Sequence, residues 1–225
     1  MRRLAFVCGL LMALSALGMT LSGLLSGMGT SSGWLLYLMR RHAPSAATGL
    51  PEEDYAPMAQ TIADYLAGRS DVFQYTLERR DGVRMGVFHD YEQAHMADCR
   101  ELFRLDRAVL LGCALVLALS SGLCAFLHRP RAAAGGCLTG CLLLLAALLG
   151  LGVWGLVNFD GLFVTFHKTF FRNGLWLLDP VTDMLVRLMP LPFFTSCAAA
   201  VLLTLAAALA LLLGLSVCIL RRRTT

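Results

Sequence analysis

The chain reads as a predominantly α-helical membrane protein with four transmembrane helices. A small α+β extracytoplasmic region with one β-hairpin is expected between the first and second of them. Three observations carry that reading. Of 225 residues, 57% are hydrophobic and 15% charged, where a soluble domain carries about 25% charged residues. Four apolar windows, about 4–28, 108–127, 132–157 and 194–220, each reach the ~20 residues that cross a bilayer. All fifteen Asp and Glu residues fall in two intervening segments, about 29–107 and 158–193. One integral membrane domain covering 1–225 is expected.

The first window follows Arg2-Arg3, as a signal peptide would, but its apolar run exceeds the ~7–15 residues of such a leader. A retained anchor is expected. Arg2 and Arg3, the Arg129 and Arg131 turn, and Arg221 to Arg223 are basic clusters without acids. The positive-inside rule places them, and both termini, in the cytoplasm, with the two mixed-charge segments outside. The net charge of +4 then reflects topology and implies no nucleic-acid partner; contact with anionic membrane phospholipids suffices.

In the first outer region, Trp34, Tyr37 and Arg40-Arg41 resemble an interfacial belt, and 44–51 is a loop of small residues. A short amphipathic helix is expected over 54–66, ending at Gly68. The runs 72–77 and 83–88 around Arg80-Asp81-Gly82 predict a hairpin. Asp90 is the expected N-cap of a helix over 91–107 that feeds span two. A region this small is expected to bury no large core by itself. In the second outer region, Asn158 to Gly161 closes span three, and a loop carrying His167 leads to a turn at Asn173-Gly174. Asp179-Pro180 then looks like the cap and first residue of a helix whose apolar face is Val181, Met184, Leu185 and Leu188. Of eight cysteines, Cys8, Cys113, Cys124, Cys137, Cys141 and Cys218 lie in spans and Cys197 near the start of one. Only Cys99 lies outside, so no disulfide is expected.

Candidate chemistry concentrates in two places. On the 91–107 helix, Glu92, His95, Cys99 and Leu102 share one face, with Asp98 in reach of His95. A carboxylate beside an imidazole fixes its tautomer and raises its basicity, which suits a general base. The same pattern also fits an ordinary helix-surface histidine. His167 sits among Phe166, Phe170 and Phe171 and reads either as half of an acid/base pair or as an interfacial histidine. Asp179 favours a cap, Trp176 a belt aromatic, and Asp183 a residue orienting a histidine or arginine. His42, His89 and His128 read as structural. Glu92, His95 and His167 with Asp98 or Asp183 could supply metal ligands, but Glu-x-x-His without a second motif is a weak signal. No metal or other cofactor is expected. A non-catalytic membrane protein that binds lipid or a partner is the alternative, and would leave the two histidines more than about 10 Å apart.

Two strings carry a family resemblance: Glu92-Gln93-Ala94-His95-Met96-Ala97-Asp98 before the second span, and Phe166-His167 through Phe170-Phe171, Trp176, Asp179-Pro180 and Asp183 before the fourth. With their order and topology, they resemble the lipoprotein intramolecular transacylase family of bacterial four-span membrane proteins. The resemblance implies an acyltransferase of the bacterial plasma membrane with diacylglyceryl-modified lipoproteins as substrates. The sn-2 acyl chain would move to the amine of the lipoprotein's own N-terminal cysteine. The resemblance makes His95 and His167 the catalytic pair, with Glu92, Asp98, Trp176, Asp179 and Asp183 supporting them at the extracytoplasmic face.

Overall fold

The computed structural model describes residues 1–78, 82 and 84–222. Its elements run α1 (Arg2–Thr30), α2 (Ser32–His42), α3 (Ser45–Thr48), α4 (Tyr55–Ala67), β1 (Thr76–Glu78), β2 (Arg84–Gly86), α5 (Asp90–Leu127), α6 (Pro130–Val157), α7 (Phe159–Phe170), α8 (Met184–Leu188) and α9 (Leu191–Arg221). Among the described residues, α1, α5, α6 and α9 are the helices long and apolar enough to cross a membrane. They coincide with the four windows, α5 running on from the polar 91–107 stretch without a break.

The chain divides into two compact units. One comprises Met1–Leu24, Asp106–Val157 and Ala199–Thr225. Here Ala13 and Leu17 of α1, Cys141 of α6 and Leu209 of α9 form the buried cluster. Small residues let α1 and α6 approach backbone to backbone, the usual basis of helix association where lipid removes the hydrophobic drive. A Cβ on Gly136 would lie 1.8 Å from the Phe6 carbonyl oxygen, and one on Gly9 would lie 1.9 Å from that of Ala133. Threonine hydroxyls in the spans bond within their own helix: Thr20 donates to the Ala16 carbonyl at 2.9 Å, and Thr204 to that of Ala200 at 2.8 Å.

The second unit comprises Leu25–Leu105 and Asn158–Ala198. Contrary to expectation it has a substantial core of its own. Leu35, Leu38 and Met39 of α2 pack with Met58, Ala59 and Ile62 of α4, and Phe73, Phe88 and Met96 join them. Leu185, Leu188 and Phe193 of the second polar segment complete the cluster. Pooling two segments distant in sequence is what makes the core large enough. The Tyr55 ring is fully buried at its centre, its hydroxyl donating to the Ala43 carbonyl and sharing a 2.7 Å bond with Thr48.

Several local expectations need correction. The hairpin forms, antiparallel with Leu77 opposite Met85, but each strand has only three residues. Just beyond it Val87 N still donates to the Tyr75 carbonyl at 2.9 Å, and the Gln74 side chain adds to this pairing, its Oε1 accepting from Val87 N at 2.9 Å and Phe88 N at 3.0 Å. Of the expected turn, Arg80 and Asp81 lie outside the described residues, as does Arg223 of the last basic cluster. Asp90 is already helical, so His89 takes the cap position, its N–H donating to Glu92 at 2.7 Å. The loop expected around His167 is the helix α7, capped by Asn158, whose side chain accepts from Gly161 N at 2.8 Å. Finally, α8 begins at Met184, with 180–182 forming a turn before it.

Gly136→Ala is expected to lower the thermal midpoint of the purified protein in detergent, consistent with an overpacking cost of about 1–3 kcal/mol. Gly150→Ala, where an added methyl meets nothing within 4 Å, is expected to leave it unchanged or slightly raised.

Candidate active site

Every residue of the site lies in the second unit. Helix α7 presents His167 from its last turn, where its Nδ1 donates to the Phe163 carbonyl one turn back at 2.8 Å. A carbonyl can only accept, so neutral His167 carries its proton on Nδ1 and leaves Nε2 as a free lone pair. Its ring centroid lies 4.2 Å from that of Phe163, and the ring stacks on Phe171 and on Trp176, at 5.4 and 5.0 Å between centroids. His95 comes from the second turn of α5, its ring 6.1 Å from that of His167 and 5.0 Å from Phe171. Both histidines are only 7% exposed. The wide separation expected of unconnected histidines is therefore absent.

Burial in this aromatic setting disfavours the imidazolium. His95 is pushed down to about 4, by desolvation first and by the His167 ring second, against a smaller opposing pull from Asp98. Desolvation also lowers His167, partly offset by the Phe163 carbonyl. Both rings are neutral at pH 7. His95 Nε2 faces the Cys99 thiol at 3.6 Å, while its Nδ1 is buried with no partner among the described residues.

The carboxylates turn out to hold the scaffold. Glu92 is completely buried and accepts from two backbone donors, His89 N and Leu185 N, each at 2.7 Å. It thereby ties the start of α5 to α8 and makes no hydrogen bond to His95. Asp98 accepts from the Asn173 side chain at 2.8 Å, so it acts on His95 only through its field. Asp183, 3% exposed, accepts from Tyr91 Oη at 2.5 Å, Thr182 Oγ1 at 2.8 Å and Asp179 N at 2.8 Å. Burial alone would raise its carboxyl, but these donors outweigh that and hold it below its usual range. Tyr91 is in turn pushed up to about 12, first by that hydrogen bond. These donors include neither a histidine nor an arginine side chain, and His89 acts on Asp183 only through its charge. Asp179 is exposed and caps a turn, accepting from Val181 N at 2.8 Å. Trp176, expected in a belt, lies on His167.

Sequence reasoning missed Phe163, whose i, i+4 spacing to His167 was the available signal, and Tyr91, which had none. His42 is bonded to Ser196 at 2.9 Å. No three His, Cys, Asp or Glu side chains among the described residues converge as metal ligands. The oxygens of Glu92 and Asp183 are already committed to the donors above.

The family model described as lipoprotein intramolecular transacylase Lit matches residues 11–194. The chain belongs to that family. It is therefore a member of an acyltransferase family and a multi-pass integral membrane protein. Its fold is similar to that of the membrane-integral lipoprotein intramolecular transacylase of Bacillus cereus, at TM-score 0.75 and 18% identity over 98% of both chains. Two variants of that protein with one histidine replaced, by arginine or by alanine, match at TM-scores of 0.67 and 0.68 and identities of 17% and 18%. These cover 98% and 97% of this chain and 92% and 94% of theirs. No curated protein sequence matches.

Two outcomes test the site's construction. Glu92→Gln offers one oxygen to two buried N–H groups, so a loss of about 1–3 kcal/mol is expected, read by thermal unfolding and by accumulation in membranes. Below pH 6.5 the unfolded chain protonates His95 while the folded chain resists it. Stability is therefore expected to fall as pH drops from 6.5 towards 4, and His95→Gln to flatten that slope.

Proposed function

We propose that the protein moves the sn-2 acyl chain of an S-diacylglyceryl lipoprotein onto the amine of that lipoprotein's N-terminal cysteine, with His95 and His167 as the catalytic residues. The observation that carries this is the pair of neutral, buried imidazoles 6.1 Å apart, each with a ring nitrogen that has no partner among the described residues. Family membership supplies the reaction class and, with it, the lipoprotein substrate.

The chemistry balances without a cofactor. The neutral amine attacks the sn-2 ester carbon, and the proton it carries into the tetrahedral adduct passes to His167 Nε2. His95 donates a hydrogen bond to the oxyanion as charge builds. The adduct collapses, the C–O bond to the glyceryl group breaks, and the departing alkoxide recovers the proton from His167. An N-acyl cysteine and a lyso-glyceryl lipid result. Amine and ester belong to one molecule, so holding them together supplies much of the acceleration. The dry aromatic walls keep water from intercepting the ester. Phe166 and Phe170, 45% and 51% exposed, offer apolar surface to acyl chains, whether of substrate or of membrane phospholipids. Asp98 and Trp176 flank the histidines, and Glu92, Asp179 and Asp183 hold the chain that presents them. The basic clusters, by the positive-inside rule, support a topology with both termini cytoplasmic and this site on the extracytoplasmic face.

His95→Gln and His167→Gln are each expected to reduce lyso-lipoprotein formation by about 10²–10⁴-fold while the protein still accumulates. Mass spectrometry of a lipoprotein's N-terminal peptide reads this, and normal product from either variant contradicts the proposal. His167 must be neutral to act as base, and its pKa lies below 6.5. Activity should fall with acidification only below that value, beyond the separate protonation of the substrate amine near about 7.7–8.0.

A further inference from the structure

The two histidines are held through different nitrogens. His167 is fixed at Nδ1 by a carbonyl one turn before it, which leaves Nε2 as an acceptor. His95 is contacted at Nε2 by Cys99, one turn after it on α5, at 3.6 Å, and its Nδ1 is buried with no partner among the described residues. Neutral His95 has one proton to place. On Nε2, it would point at a thiol sulfur, a weak acceptor, and would strand the thiol's own hydrogen. On Nδ1, the imidazole lone pair at Nε2 becomes a strong acceptor for that S–H. The second arrangement uses both groups.

We propose that Cys99 is a positioning residue whose thiol donates to His95 Nε2, fixing His95 as the Nδ1–H tautomer, so that Nδ1–H, buried until substrate enters, is the one donor His95 can offer the oxyanion. This rests on the acyl-transfer reading above and sharpens it. The pair divides into one acceptor, His167 Nε2, and one donor, His95 Nδ1–H, so their roles do not interchange. The thiol's protonation agrees: burial, then the Asp98 charge, push Cys99 up to about 12, so it stays a donor and makes a poor nucleophile.

Full-length protein labelled with ¹⁵N-histidine, purified in detergent, gives the tautomer directly from long-range ¹H–¹⁵N correlations. The wild type is expected to show His95 protonated at Nδ1, Cys99→Ser to keep that pattern through its hydroxyl donor, and Cys99→Ala to shift towards Nε2–H. In lipoprotein conversion, Cys99→Ala is expected to lose about tenfold or more in kcat with KM little changed. Cys99→Ser should stay within a few fold of wild type. A wild-type His95 in the Nε2–H form overturns the proposal, as does an undiminished kcat in Cys99→Ala. A trapped acyl thioester on Cys99 would also overturn it, in favour of a nucleophilic thiol. Because the spectrum needs no turnover, it decides the contact even if His95→Gln stays active, a result that would instead strike at the acyl-transfer reading.

Discussion

The site depends on one buried carboxylate. Glu92 accepts the His89 N–H at the start of α5 and the Leu185 N–H in α8, with no exposure to solvent. A charge in that position is tolerable only because both oxygens are met by oriented backbone donors, one of them at a helix N-terminus where negative charge is favoured. The bond joins the segment that carries His95 to the segment that carries His167. Asp183 repeats the device beside it, taking the Tyr91 hydroxyl from α5 and the Asp179 amide from its own turn. These ties act together with the shared apolar core and the Asp98–Asn173 hydrogen bond to hold the two imidazoles in one site.

With the segments joined, the aromatic side chains set the surroundings of the two rings. Phe163, Phe171 and Trp176 enclose His167, and Phe171 also meets His95. Such walls exclude water and make a charged ring expensive, so both imidazoles rest neutral and available for proton exchange. The acids that could have charged them are spent elsewhere: Glu92 on backbone, Asp183 on Tyr91, Asp98 on Asn173. The site is poised by what its carboxylates do not do.

The four spans were legible because each is a continuous apolar run of bilayer length, and no tertiary context is needed to read that. His95 and His167 were legible as a pair only through the two strings that resemble the family, since nothing local to either residue points to the other. The carboxylates were misread as orienting groups because spacing shows what lies one helical turn away. Glu92's second partner is 93 residues distant. Helix α7 was read as a loop because its aromatics and threonines weaken the periodic signal, while its Asn158 cap looked like the end of the preceding span. The core of the second unit was underestimated for a related reason: Leu185, Leu188 and Phe193 are contributed by a segment far along the chain.

The most direct measurement is an experimental structure of the protein with a substrate analogue in which the sn-2 ester is replaced by a phosphonate mimic of the tetrahedral adduct. The account expects the lipopeptide amine within hydrogen-bond reach of His167 Nε2, about 2.6–3.2 Å, and a phosphonate oxygen equally close to His95 Nδ1. An analogue bound with its tetrahedral centre away from both rings, or with both groups addressed by the same histidine, would contradict it.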